Sequence, residues 1–289
     1  MKRDLGNSEL NSLLPDVQVD RRGFVAACIA AGFAVSAEPV LAQAIKTPMD
    51  GLEGGDIKIG DMPAYYAAPK GGGRHPVVLV VAEIWGLHEH VKDVTRRVAK
   101  EGYFAIANEP YYKIGELWKI EDIKQVVAGA NQLPDDQAFK DLDATVAWAG
   151  KSPRASADKL GITGFCRGGR MVWMYSAHQP KMKAGVAWYG GLSPAQPAIS
   201  TTPVDVVEQL KAPVLGLYGG ADQGIPVDQV EKLRSALRSG DKAAKQSQIQ
   251  VYEGAPHGFN ADYRPSYRKE AADDGWKRML AWFKQHGVA

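Results

Sequence analysis

The chain has 289 residues, 45% of them hydrophobic and 24% charged, with a formal net charge of +2. That is enough for one large α/β domain with its own core, without disulfides or a structural metal. The near-neutral balance and the lack of a Lys/Arg run argue against a nucleic-acid partner, and no repeat period or low-complexity tract marks a solenoid or linker.

The first 44 residues differ from the rest. Asp20-Arg21-Arg22-Gly23-Phe24-Val25 leads into an Ala/Gly-rich apolar stretch ending at Ala37, and Ala42-Gln43-Ala44 has the small-residue spacing that a signal peptidase reads. A paired arginine, a mildly apolar stretch and a cleavage site resemble a bacterial twin-arginine export signal. The stretch falls short of the roughly 20 residues that span a bilayer, so stable membrane insertion is not expected. The expectation is an export signal with its flank over 1–44, read by the export machinery, and a periplasmic or secreted domain over 45–289. Of the two cysteines, Cys28 lies inside this signal, which leaves Cys166 as the single thiol of the mature chain, unable to form an internal disulfide.

Residues 56–69 read as extended, and Gly71-Gly72-Gly73 as a turn. Pro76–Val81 is a continuous β-branched run, the signature of a parallel strand buried on both faces. A helix is expected over 88–101 and a strand over 103–107. Residues 113–133 carry a mixed pattern that fits a surface excursion with a short helix. Phe139, Leu142, Val146 and Ala149 recur at helical spacing and predict a helix over 135–150. Strands follow over 160–165, 184–189, 213–218 and 248–252, separated by helices over 168–178 and 227–238 and closed by one over 267–285. Strands alternating with helices imply an α/β fold: one domain, a mostly parallel sheet and helices on both faces. Chemistry is then expected beyond the carboxyl ends of the strands.

Three strand ends carry reactive residues. Gly164-Phe165-Cys166-Arg167-Gly168 is a G-x-C-x-G between a strand and a helix, the pattern of a nucleophile elbow. Glycines allow the sharp turn, and the helix N-terminus favours an anion at Cys166. Asp222 follows the strand 213–218, and His257 follows the strand 248–252. Nucleophile, acid and histidine in that order match the α/β-hydrolase triad. His257 would take the thiol proton, and Asp222 would fix its tautomer. Any one of the three residues could be a buried thiol, a helix cap or a solvated loop histidine. Their order and common position favour the triad. His88-Glu89-His90 lacks the spacing of a helical zinc motif and reads as a solvated turn into the helix, so neither metal nor cofactor is expected.

These motifs, with Ala82-Glu83-Ile84-Trp85-Gly86, Trp188-Tyr189-Gly190-Gly191 and His257-Gly258-Phe259, resemble the dienelactone hydrolase (carboxymethylenebutenolidase) family across residues 50–286. The resemblance implies a hydrolase of a small-molecule ester or lactone acting through a thioester. It implies that Glu83 neighbours the nucleophile and holds the resting thiol until substrate displaces it. It also implies an oxyanion hole made by the backbone N–H groups of Ile84 and Arg167. The founding members bind a substrate carboxylate with arginines. Near the first such position this chain has Lys113, and after the histidine it has Asn260 and Ala261, with Arg264 as the next arginine. Trp85, Lys113, Tyr189 and Arg264 are therefore the candidate substrate-binding residues. Two rivals stay open: a binding protein with a relict triad, and a thiol-dependent acyltransferase or peptidase on the same fold.

Overall fold

The computed structural model describes residues 46–194 and 200–289, so the expected export signal lies outside the described residues. Eight strands form one sheet in the order β1-β2-β4-β3-β5-β6-β7-β8. The strands are β1 (Leu52–Ile59), β2 (Met62–Pro69), β3 (His75–Val81), β4 (Phe104–Asn108), β5 (Ala155–Phe165), β6 (Met182–Trp188), β7 (Val214–Gly219) and β8 (Gln248–Tyr252). β1 and β2 pair antiparallel, as do β2 and β4, and every other pairing is parallel. The α/β architecture read from the sequence is the one observed.

The helices are α1 (Glu89–Lys100), α2 (Ile123–Ala130), α3 (Asp135–Gly150), α4 (Arg167–His178), α5 (Val227–Ser239), α6 (Lys242–Gln246) and α7 (Lys269–Gln285). β6 shows how they divide between the faces. A side chain at Gly185 would strike Val172 and Ser176 of α4, whereas the ring of Trp188 lies against Gly275 of α7. Positions three apart on a strand point to opposite faces, so α4 and α7 cover opposite sides of the sheet. The central strands are buried on both faces, as the β-branched run of β3 requires: Val77 to Val81 are all buried.

Several boundaries differ from the sequence reading. The extended segment 56–69 is part of a hairpin that turns at Gly60, whose φ of 60° is comfortable for glycine. β5 begins at Ala155, five residues early, because 156–159 pass through half-buried and exposed positions before the buried run starts. The excursion over 113–133 holds a 3₁₀ turn at Leu117–Lys119 and the helix α2, capped by the Asp122 side chain on the Lys124 N–H. The five-residue α6 has too few turns to show a period and was not expected. Among the described residues no helix is long and apolar enough to cross a membrane.

Candidate active site

Cys166 sits between β5 and α4 at φ 55° and ψ −117°, a backbone conformation few non-glycine residues adopt. Strain of this kind concentrates where a side chain must be presented. The surrounding glycines explain how the turn is held. A Cβ on Gly164 would lie 2.4 Å from the Gly168 carbonyl oxygen, and one on Gly168 would lie 2.3 Å from that of Val81. A Cβ on Gly169 would meet the Trp188 oxygen at 2.4 Å. The first turn of α4 is therefore pressed backbone to backbone against the ends of β3 and β6. Cys166 itself is anchored by its N–H on the Trp188 carbonyl at 3.0 Å, and the thiol is buried.

The Asp222 and His257 loops are fastened together by backbone. Gly220 N–H donates to the Tyr252 carbonyl and Ala221 N–H to the Ala255 carbonyl. Gly219 admits this contact, since a Cβ there would lie 2.2 Å from the Ala255 oxygen. Asp222 uses both oxygens. Oδ2 meets His257 Nδ1 at 2.7 Å, and Oδ1 accepts the N–H groups of Gly224 and Ile225 at 2.9 and 3.2 Å. That bond leaves Nε2 of the ring for Cys166. Burial alone would push the imidazole down, but the Asp222 carboxylate and the Cys166 thiol outweigh it and hold His257 at about 10. Tyr189 packs edge-on to the His257 ring with centroids 5.0 Å apart. It is fully buried, has a φ of 38°, and its hydroxyl has no hydrogen-bond partner among the described residues. Burial, with the nearby Glu83 charge, keeps that phenol protonated.

On the other side Glu83 follows β3. Its Oε2 accepts from the Tyr263 hydroxyl and from Arg264 Nη2, both at 2.8 Å, while Oε1 has no hydrogen-bond partner among the described residues. Burial would raise this acid, but Arg264, then His90, His88 and the Tyr263 hydroxyl, hold it below the usual carboxylate range. A carboxylate charge beside Cys166 opposes a thiolate there. The Arg264 ion pair offsets that opposition. Arg264 also lies over Trp85, its guanidinium carbon 4.3 Å from the ring centroid, a cation–π contact. Gly258, beside the histidine, gives it room: a Cβ there would come within 3.1 Å of Arg264 Nη1.

The candidate oxyanion donors Ile84 and Arg167 follow directly after Glu83 and Cys166, at the ends of the neighbouring parallel strands β3 and β5. Arg167 opens α4, where backbone N–H groups have no intrahelical acceptor. Its side chain turns to Asn131 at 2.8 Å. Lys113 is not brought to this cluster. It is exposed and stacks on Tyr112 at 5.2 Å, with Asp141 as the nearby charge. A cavity of about 30 Å³ beside the elbow is lined by Ala82, Tyr111, Asp141, Arg167 and Met171 among others, but not by Cys166, Glu83 or His257.

The structure overturns the reading of His88-Glu89-His90 as a solvated turn. His88 and His90 are both only 2% exposed, and their rings stack with centroids 6.1 Å apart. Both pack against Tyr263, and His90 Nδ1 lies 3.3 Å from Asp262. Asp262 also pairs with Arg97, and Arg97 with the fully buried Asp93, which accepts the Thr47 N–H. Sequence inspection missed this network because Asp262 and Tyr263 lie some 170 residues beyond His88. It also missed Glu109, whose oxygens take the N–H groups of Leu87 and Tyr111 at 2.8 and 2.9 Å. Glu109 thereby ties the loop after Glu83 to the end of β4, and Gly86 stays side-chain-free because a Cβ would lie 2.3 Å from that carboxylate. The described residues contain no group of His, Cys, Asp and Glu arranged to hold a metal ion.

Comparison with known proteins adds independent evidence. The model of the dienelactone hydrolase family matches residues 62–287. A candidate carboxymethylenebutenolidase of Methylorubrum extorquens AM1 is 50% identical over 98% of this chain and 99% of its own length. One from Escherichia coli K12 is 48% identical over 89% of this chain and 96% of its own. The crystal structure of a candidate dienelactone hydrolase from Klebsiella pneumoniae is 47% identical, covers 81% of this chain and 99% of its own, and superposes with a TM-score of 0.77. The chain belongs to the dienelactone hydrolase family.

Proposed function

We propose that this hydrolase cleaves an ester or lactone through Cys166, His257 and Asp222, with a thioester acyl-enzyme as intermediate. The observation that carries the reading is His257, fixed on Asp222 at 2.7 Å and electrostatically coupled to the Cys166 thiol at the strained elbow. His257 Nε2 takes the proton of the Cys166 thiol, and the Asp222 carboxylate stabilises the imidazolium that forms. The thiolate attacks the carbonyl carbon, and the oxyanion forms between the N–H groups of Ile84 and Arg167. Collapse restores the carbonyl and breaks the bond from its carbon to the ester oxygen, and His257 passes its proton to that leaving oxygen. Neutral His257 then takes a proton from water, whose oxygen attacks the thioester. The acid departs and the thiol returns.

Arg264 is the substrate anchor in this reading, in place of Lys113. It stands in the Cys166 cluster, stacked on Trp85, and its present partner is a carboxylate. A substrate carboxylate would compete for it on equal chemical terms and could use both arms of the guanidinium. A small enol lactone bearing a carboxylate fits these demands. We also propose that residues 1–44 direct export, so that the tagged full chain fractionates with the periplasm and a paired-lysine variant of Arg21-Arg22 does not.

The test is hydrolysis of p-nitrophenyl acetate and of a carboxylated dienelactone by wild type and Cys166→Ala, with mass spectrometry of the quenched reaction. Turnover that vanishes in the variant, with an acyl adduct on the Cys166 peptide, is expected. Equal activity in both would remove Cys166 from the mechanism.

A further inference from the structure

Glu83 keeps one oxygen idle. Oε2 is engaged by Tyr263 and Arg264, while Oε1 is buried without a hydrogen-bond partner among the described residues. His88 shares this condition more severely, since it is 2% exposed and neither ring nitrogen has a partner among the described residues. Unpaired buried polar atoms are costly and rare in native proteins, so three of them on two neighbouring residues call for a ligand or an exchange of partners. The histidine is not loosely placed. Its N–H donates to the Gly86 carbonyl, its carbonyl takes the Lys92 N–H, and its ring is fixed by His90 and Tyr263.

The charged and titratable groups facing His88 are Glu83, His90, Tyr263 and Arg264. Burial, with His90 and Arg264, keeps the ring neutral against the pull of Glu83. It therefore has one N–H to give. In the function proposed above, on which this inference rests, an incoming carboxylate competes with Glu83 for Arg264. A buried carboxylate stripped of its cation is strongly disfavoured, so Glu83 needs another donor at that moment.

We propose that His88 is a positioning residue that donates its ring N–H to Glu83 Oε1 when a substrate carboxylate claims Arg264, and so makes the enzyme selective for anionic esters and lactones. No covalent step is involved. The change of field acts in the same direction: the bound anion cancels the push of Arg264 on the ring, while the pull of Glu83 stays. Tyr189 is the rival donor, because its hydroxyl is also buried and unpartnered beside Glu83. A phenol can supply only a neutral hydrogen bond, whereas an imidazole can also take on positive charge.

The test compares mono-p-nitrophenyl succinate with p-nitrophenyl butyrate, which share a leaving group and differ in the acyl carboxylate. Wild type is assayed beside His88→Phe, His88→Asn and Tyr189→Phe, each checked by thermal melting. The expected readout is the ratio of kcat/KM for the anionic over the neutral ester. It should fall about tenfold or more in His88→Phe, the worth of one hydrogen bond to a charged group, and be largely restored in His88→Asn, which keeps an N–H donor. A merely structural role lowers both esters alike and leaves the ratio unchanged, which overturns the proposal. So does a ratio that collapses in Tyr189→Phe but not in His88→Phe. If wild type itself shows no preference for the anionic ester, the Arg264 anchor fails along with this proposal, and that result is read from wild type alone.

Discussion

Two buried carboxylates flank Cys166, and they are held in opposite ways. Asp222 engages both of its oxygens, one on His257 and the other on two backbone N–H groups. Glu83 spends one oxygen on Tyr263 and Arg264 and leaves the other idle. A fully satisfied carboxylate is fixed, which suits a group whose task is to orient a ring. A half-satisfied one paired to a cation can exchange partners, which suits a group that yields to substrate. Glu109 completes the comparison. It has two backbone donors but no cation beside it among the described residues, and burial, resisted by the Tyr111 and Leu87 amides and assisted by Glu116, pushes it up to about 7. Glu83, buried more deeply still but with Arg264 beside it, moves below its ordinary value. The cation, more than the amides, decides the charge state.

The largest effect belongs to the fixed pair. Asp222→Asn keeps an oxygen for Gly224 and Ile225 but turns its NH2, a donor, toward His257 Nδ1. Turnover should fall by about 10⁴, the loss seen when the acid of an analogous serine triad is made neutral. Steady-state kinetics check this, and a loss under tenfold would erase the distinction between the two carboxylates. Glu83→Gln comes next. It strands the Arg264 guanidinium, of which 12% of the side chain is exposed, against a neutral amide. The expected loss of stability is about 3 kcal/mol, read by urea unfolding at neutral pH. The pH dependence gives the sign. Glu83 is lowered in the folded state, so its contribution is full above the ordinary value of 4.5 and lost as pH falls through the lowered one. The gap between wild type and Glu83→Gln should therefore narrow in acid.

The two carboxylates also differ in how legible they were. Asp222, His257 and Cys166 each end a β-rich segment, so strand periodicity and the small residues around them pointed to their places. The glycines of the elbow are readable because their reason is local: Gly164 and Gly168 touch each other. Arg264 could be named but not placed, since nothing local says that it folds back over Trp85. His88 and His90 were misread because a short polar stretch before a helix is normally solvated, and only Asp262 and Tyr263, far along the chain, bury them. Lys113 misled in the other direction, since a position along the chain cannot say which way an exposed side chain turns. The mostly parallel sheet was implied by alternation, but the hairpin at Gly60 was not, because one extended pattern runs across the turn.

Glu109→Gln gives the smallest effect and the finest test of what the cation does. Glu109 is raised in the folded state from 4.5 to about 7, the opposite sign to Glu83. Its contribution is full below 4.5 and is lost as pH rises through about 7, because above that value the fold must bury a charge with no cation to meet it. Glutamine keeps one acceptor and never ionises. Near pH 4.5 it should cost about 1 kcal/mol, the worth of one weakened hydrogen bond to Leu87 or Tyr111. As pH rises toward 8 that penalty should shrink and then reverse, by an amount on the order of 1 kcal/mol per unit of pKa displacement. Urea unfolding of both proteins across this window measures the crossing. If the penalty instead grows with pH, the two amides alone hold the carboxylate charged, and the argument that Arg264 sets the state of Glu83 loses its control.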